Sequence, residues 1–180
     1  PGDIASNHIW CMVQDYNGVI WIGTDGGGLI RLDPKDERFT SIMHEKDLNL
    51  TDPTIYSLYC DMDNTIWVGT SISGLYRCNF RTGKVTNIVY PHRKILNIKA
   101  ITAYSNNELV MGSDAGLIKV DCIQETISFI NEGPAFDNIT DKSIFSIAHD
   151  MEGGLWIGTY FGGVNYYSPY ANKFAYYPGS

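Results

Sequence analysis

The sequence predicts an all-β fold, a β-propeller fragment of four consecutive four-stranded antiparallel blades, on three observations. One pattern is stated four times: residues 20–33 read IWIGTDGGGLIRLD, 66–79 IWVGTSISGLYRCN, 109–120 LVMGSDAGLIKV and 155–167 LWIGTYFGGVNYY. Its glycine column, Gly23, Gly69, Gly112 and Gly158, advances by 46, 43 and 46 residues, a period that marks a repeat architecture. Each unit also holds four short runs rich in β-branched and aromatic residues, parted by turn residues, and no helix-period stretch of useful length competes with them.

The elements follow one order in every unit. First strands are expected at 9–13, 55–59, 98–102 and 144–148. A polar turn follows at 15–18, 61–64, 105–107 and 150–154, then the W-I-G-T strand, a glycine turn and a third strand such as 29–33. Fourth strands fall at 39–42, 84–88, 126–130 and 173–177. The blades then span approximately 4–43, 50–90, 95–131 and 139–178 of one partial propeller domain covering 1–180.

Blades of a propeller stack face to face, so their inner strands are buried on both sides and lose the polar alternation of a half-exposed sheet. In W-I-G-T the tryptophan and glycine share one face and the isoleucine and threonine the other. Trp21, Trp67 and Trp156 are expected as wedges between blades, with the glycine leaving room for a neighbour's ring. The cluster Gly26-Gly27-Gly28 reads as a turn rather than a phosphate cradle, because a dinucleotide site needs a helix opening after its glycines and here a strand follows.

Asp61-Met62-Asp63-Asn64 resembles a calcium loop but lacks its glycine and distal glutamate. Its counterparts Asp15-Tyr16-Asn17-Gly18 and Asp150-Met151-Glu152-Gly153 make it a repeated hairpin turn, with the aspartate bonding nearby amides. Asn49-Leu50-Thr51 and Asn138-Ile139-Thr140 match a glycosylation pattern, yet both precede a first strand at equivalent places, which turn chemistry explains.

The chain has 180 residues, enough for a real core. Twenty acidic against thirteen basic residues give a net charge of −7, which argues against a nucleic-acid surface. There is no apolar run long enough to cross a bilayer, so no membrane contact is expected of this stretch. The chain begins at Pro1 directly before a first strand, and both ends fall at blade boundaries. The expectation is a piece of a longer chain, an open arc of a larger ring whose end blades expose faces that normally have partners, and hence self-association or a homodimer.

Cys11, Cys60, Cys78 and Cys122 occupy different repeat columns and show no zinc or disulfide framework. His8, His44, His92 and His149 share no column either, and paired acids such as Asp36-Glu37 lie in a turn. No catalytic residue, metal or cofactor is expected.

Taken together, D-x-x-G, L/I-W-I-G-T, G-G-L and a closing aromatic strand resemble the regulator-propeller repeat of the periplasmic sensor region of hybrid two-component systems in gut Bacteroidetes. Residues 150–180 resemble the version found where the first of that family's two seven-bladed propellers ends. Units one, two and four match well. Unit three departs, with Val110 for the tryptophan, Ser105-Asn106-Asn107 for the aspartate turn and Ser113 for the threonine, and should be less tightly wedged.

The resemblance implies a non-catalytic periplasmic sensor, with the remaining blades and a second propeller of a parent chain as partners. That parent would be a sensor histidine kinase that recognises a glycan-derived oligosaccharide and signals to the kinase inside. The family offers no short binding motif to transfer. On geometry, the rim joining strand four to the next strand one, and strand two to strand three, carries Asp25, His44, Tyr90, His92, Arg93, Tyr160 and Phe161. Sugar recognition favours aromatic faces with a few fixed polar groups, so Tyr160-Phe161 and His92-Arg93 are the expected ligand-binding residues. Two alternatives stand beside this one: a secreted propeller enzyme such as a polysaccharide or streptogramin lyase, which the dispersed histidines disfavour, and a purely structural interaction propeller.

Overall fold

In the computed structural model the described residues are 6–42, 50, 52–88, 97–130, 139–168, 170 and 173–177. They form sixteen strands in four antiparallel sheets, each a simple meander. Blade one holds β1 (Ile9–Gln14), β2 (Ile20–Thr24), β3 (Leu29–Asp33) and β4 (Arg38–Ser41). Blade two holds β5 (Ile55–Cys60), β6 (Ile66–Thr70), β7 (Leu75–Asn79) and β8 (Lys84–Ile88). Blade three holds β9 (Ala100–Ser105), β10 (Glu108–Ser113), β11 (Gly116–Asp121) and β12 (Thr126–Phe129). Blade four holds β13 (Ile144–His149), β14 (Leu155–Thr159), β15 (Val164–Ser168) and β16 (Lys173–Tyr177). Two compact units, Pro1–Ile98 and Lys99–Ser180, each contain two blades.

The elements sit where the sequence places them, to within three residues. The largest displacement is in blade three, whose first strand runs Ala100–Ser105 where 98–102 is expected. The Ile98 amide donates instead to the Thr70 carbonyl of blade two, at 3.1 Å, and so leaves its own sheet.

The turn aspartates do more than cap a hairpin. Asp61 Oδ1 accepts from the amides of Asp63 and Thr65 at 3.0 and 2.9 Å, while Oδ2 accepts the indole N–H of Trp67 at 2.8 Å. Asp15 repeats the set with Asn17, Val19 and Trp21 at 2.8, 3.0 and 3.1 Å. These carboxylates are saturated by N–H donors, the opposite of what a cation site needs. The fourth turn residue is left-handed in each, Gly18, Asn64 and Gly153 at φ 86°, 59° and 84°, and asparagine tolerates that region better than other side chains.

Gly26 and Gly28 are left-handed as well, at φ 81° and 70°, and β3 opens directly after them, as a turn requires. The W-I-G-T threonine closes this turn: Thr24 donates both its amide and its hydroxyl to the Gly28 carbonyl, at 3.1 and 2.8 Å. Thr70 with Gly74 and Thr159 with Gly163 do the same.

Trp21 is buried and stacks on Phe80 of blade two, ring centroids 4.0 Å apart at 18°. Trp67 is buried, with the Arg77 guanidinium 5.6 Å from its ring. Trp156 rests on Tyr166 and Tyr177 of its own blade. The glycine column makes room for an isoleucine rather than for the ring that the sequence suggests. A Cβ at Gly23 would lie 2.8 Å from Ile55 Cγ2, one at Gly69 2.7 Å from Ile98 Cγ2, and one at Gly112 2.5 Å from Ile144 Cγ2. The reason is geometric: a β-branched side chain at the start of each first strand is short and stiff enough to seat against bare backbone.

Blade three keeps a full core without its tryptophan. Val110 is completely buried, in a cluster with Leu117, Ile144, Leu155, Ile157 and Tyr167. Tyr104 and Phe174 pack against this cluster.

Candidate functional site

Three of the four first strands carry a β-bulge after their opening isoleucine, between Ile9 and Cys11, Ile55 and Ser57, and Ile144 and Ser146. A bulge re-aims the extra residue out of the sheet. The residue so placed is Trp10, Tyr56 or Phe145, and Lys99 holds the same repeat position in blade three. This column was not singled out from the sequence, although aligning the four units on their opening isoleucines would have displayed it.

In the second unit the column meets the predicted Tyr160-Phe161 pair. Tyr160 stacks on Phe145 with centroids 5.1 Å apart at 22°, and Phe161 meets Tyr160 edge-on at 4.2 Å and 73°. All three rings are exposed, Tyr160 by 60% and Phe161 by 87%. The Lys99 ammonium lies 3.8 Å from the centre of the Phe145 ring and 2.7 Å from Asp114 Oδ1. The Ser143 hydroxyl donates to that same oxygen at 3.0 Å.

The turn carrying Tyr160 and Phe161 is clamped by the segment before β13. Thr140 donates its hydroxyl to the Gly162 carbonyl at 2.7 Å, and the Tyr160 amide donates to the Ser143 carbonyl at 2.9 Å. Asp141 accepts the amides of Ser143 and Phe161 at 3.0 and 2.8 Å. Those two amides hold its carboxyl below the usual carboxylate range. Exposed rings on a clamped turn form a platform with little ordering left to do on binding.

The first unit repeats part of this arrangement. Trp10 and Tyr56 meet edge-on at 5.3 Å, and Thr54 donates to Asp25 Oδ1 at 2.9 Å, as Ser143 does to Asp114. Asp52, the counterpart of Asp141, is buried and accepts from the amides of Thr54, Ile72 and Ser73 and the Ser71 hydroxyl. Of the other predicted binding residues, His92 and Arg93 lie outside the described residues, as do Tyr90 and His44.

A second concavity, about 460 Å³, opens in the first unit beside the β1–β2 and β3–β4 turns, lined by Trp21, Phe80, Arg31 and Asp33 among others. Two of its aspartates are already engaged, Asp33 with Arg31 at 2.9 Å and Asp15 with Trp21. His149 contacts the Ala103 carbonyl, a structural role at the end of a strand. Among the described residues no cluster of metal-ligating side chains occurs.

Residues 3–26, 49–71 and 138–161 match the family model described as two component regulator propeller. The three segments fall in blades one, two and four; the blade in which Val110 replaces tryptophan lies outside them. The chain is similar to the extracellular domain of the putative hybrid two component system BT4673 from B. thetaiotaomicron. That match has 22% identity and a TM-score of 0.78, and covers 100% of this chain and 22% of that one. It is also similar to virginiamycin B lyase from Staphylococcus aureus, at 16% identity and a TM-score of 0.69, covering 99% of this chain and 57% of the lyase. An auxiliary nutrient binding protein from Bacteroides thetaiotaomicron gives 10% and 0.67, with 96% and 41% covered. At such identities the likeness is one of fold. The chain spans about a fifth of the length of the BT4673 extracellular domain. No curated protein matches it.

Proposed function

Because three segments of the chain match the two component regulator propeller model, we propose that it is a non-catalytic, ligand-sensing module in the periplasmic part of a hybrid two-component sensor histidine kinase/response regulator. Its ligand in this reading is a glycan-derived oligosaccharide, and occupancy changes the geometry passed to an intracellular kinase. The observation that carries the ligand class is the clamped platform of Phe145, Tyr160 and Phe161. Flat exposed aromatic faces suit the C–H patches of pyranose rings, and the adjoining Lys99–Asp114 pair supplies a donor and an acceptor for hydroxyls.

The same pair favours an uncharged sugar. The Lys99 ammonium is already neutralised by Asp114 at 2.7 Å and rests on the Phe145 face. An acidic sugar would have to displace that carboxylate in a chain of net charge −7. A sensor rather than a lyase is favoured by the groups that the described residues place on this rim, aromatic faces and carboxylates satisfied by backbone amides.

Isothermal titration with neutral and uronic-acid oligosaccharides, with chromatography of the mixture afterwards, tests the reading. Saturable binding of a neutral oligosaccharide without product is expected. Tyr160→Ala and Phe161→Ala should each weaken it by about 0.5–1.5 kcal/mol or more, the worth of an aromatic contact beyond its area. Product formation, or affinity unchanged in both variants, overturns it.

A further inference from the structure

The cavity of about 460 Å³ in the first unit is bounded by residues of four hairpin turns, β1–β2 and β3–β4 of blade one and β5–β6 and β7–β8 of blade two. Each turn is held by its own side chain. The amides of Asn17, Lys35, Asp63 and Thr82 donate to side-chain oxygens of Asp15, Asp33, Asp61 and Asn79, at 2.8, 3.1, 3.0 and 3.1 Å. The Tyr16 amide donates to Asn64 Oδ1 at 2.7 Å and ties the two blades together there. The cavity is thus formed before any ligand arrives, which leaves little ordering for binding to offset.

Its wall is aromatic and aliphatic, with the buried Trp21 and Ile66 and the Phe80 ring stacked on Trp21. Its charges are more particular. Lys35 and Arg81, both exposed, hold one repeat position in the β3–β4 and β7–β8 turns, where blades three and four carry Ile123 and Tyr170. Two cations therefore converge on this gap from adjoining blades. Of the three lining carboxylates, Asp15 is bonded to the Trp21 indole and two amides, and Asp33 to Arg31 and the Lys35 amide. The third belongs to the exposed Asp63. Among the described residues, Lys35, Arg81 and Asp63 form no ion pair.

We propose that this cavity binds a free α-amino acid with an aromatic or large aliphatic side chain. Lys35 and Arg81 take its carboxylate, Asp63 its ammonium, and Phe80 with Trp21 the side chain. A purely anionic ligand would bring its charge up to Asp63, and a purely cationic one would face Lys35 and Arg81. A zwitterion answers both signs at once, through charge-assisted hydrogen bonds.

A ligand-observed NMR titration of the chain with L-phenylalanine provides the test, with hydrocinnamate and phenethylamine as the same body lacking the ammonium or the carboxylate. The amino acid should bind saturably, and each analogue at least about tenfold more weakly, the loss expected when a hydrogen bond to a charged group goes unmade. Arg81→Gln and Asp63→Asn should each weaken the amino acid by a similar factor. Both positions are exposed, and matching urea midpoints will establish that the variants fold. Lys84→Gln, which removes an exposed charge of blade two outside the cavity, should leave binding unchanged. No saturable binding, an analogue that binds as well as the amino acid, or affinity indifferent to both Arg81→Gln and Asp63→Asn overturns the proposal.

Discussion

The indole nitrogen of Trp67 donates to Asp61 Oδ2 at 2.8 Å, across six residues and the whole β5–β6 hairpin turn. One carboxylate thereby fixes the turn through two backbone amides and the rotamer of a fully buried tryptophan. Blade three lacks both members, with Ser105 and Val110 in their places, and fills the position with an aliphatic core instead.

Asp61→Ala should therefore cost about 1–3 kcal/mol, because it orphans a buried indole N–H as well as two turn amides. Asp61→Asn, which keeps an acceptor, should cost less. Urea midpoints of the three proteins check this order.

Gly112→Ala should destabilise by about 1–3 kcal/mol, the cost of forcing volume into a close-packed contact. Its Cβ would lie 2.5 Å from Ile144 Cγ2 and 2.9 Å from Ile144 Cβ. Ile144→Ala alone should also destabilise, but the double variant should lose less than the two singles combined. Strict additivity in a double-mutant cycle would show that the pair does not form the contact described.

Asp52 predicts an acid limb. Burial works to raise its carboxyl, but the amides of Ile72, Thr54 and Ser73 and the Ser71 hydroxyl outweigh that and hold it below the usual range. Its folded pKa is thus lower than the unfolded value of about 3.9, so its contribution is complete above that value and fades as pH falls through the folded one. Asp52→Asn should be clearly less stable than the wild type at pH near 7 and converge on it as pH falls through the lowered folded pKa. Urea unfolding across acid pH measures this, and a constant gap would contradict it.

Three thiols should be unreactive while the fold lasts. Burial pushes Cys11 and Cys78 up to about 12 and Cys60 to about 11, and the neighbouring charges of Asp15 and Asp61 add to the effect at Cys60. The thiolate is the nucleophile, so iodoacetamide at mildly alkaline pH should spare all three and label them once denaturant is added. Peptide mass spectrometry reads this site by site.

The blade count, the strand order and the turns were legible in the sequence because each rests on local chemistry repeated four times. Apolar alternation, left-handed turn positions such as Gly18 and Asn64, and the threonine that closes the glycine turn all act within a few residues of one another. Tyr160 and Phe161 could likewise be placed on the rim by counting from Trp156. What covers a residue could not be read this way. That Gly112 faces Ile144 and that the Lys99 ammonium lies over the Phe145 ring are contacts between different blades. The residues that meet there lie tens of positions apart, and only the packing of one sheet against the next brings them into reach.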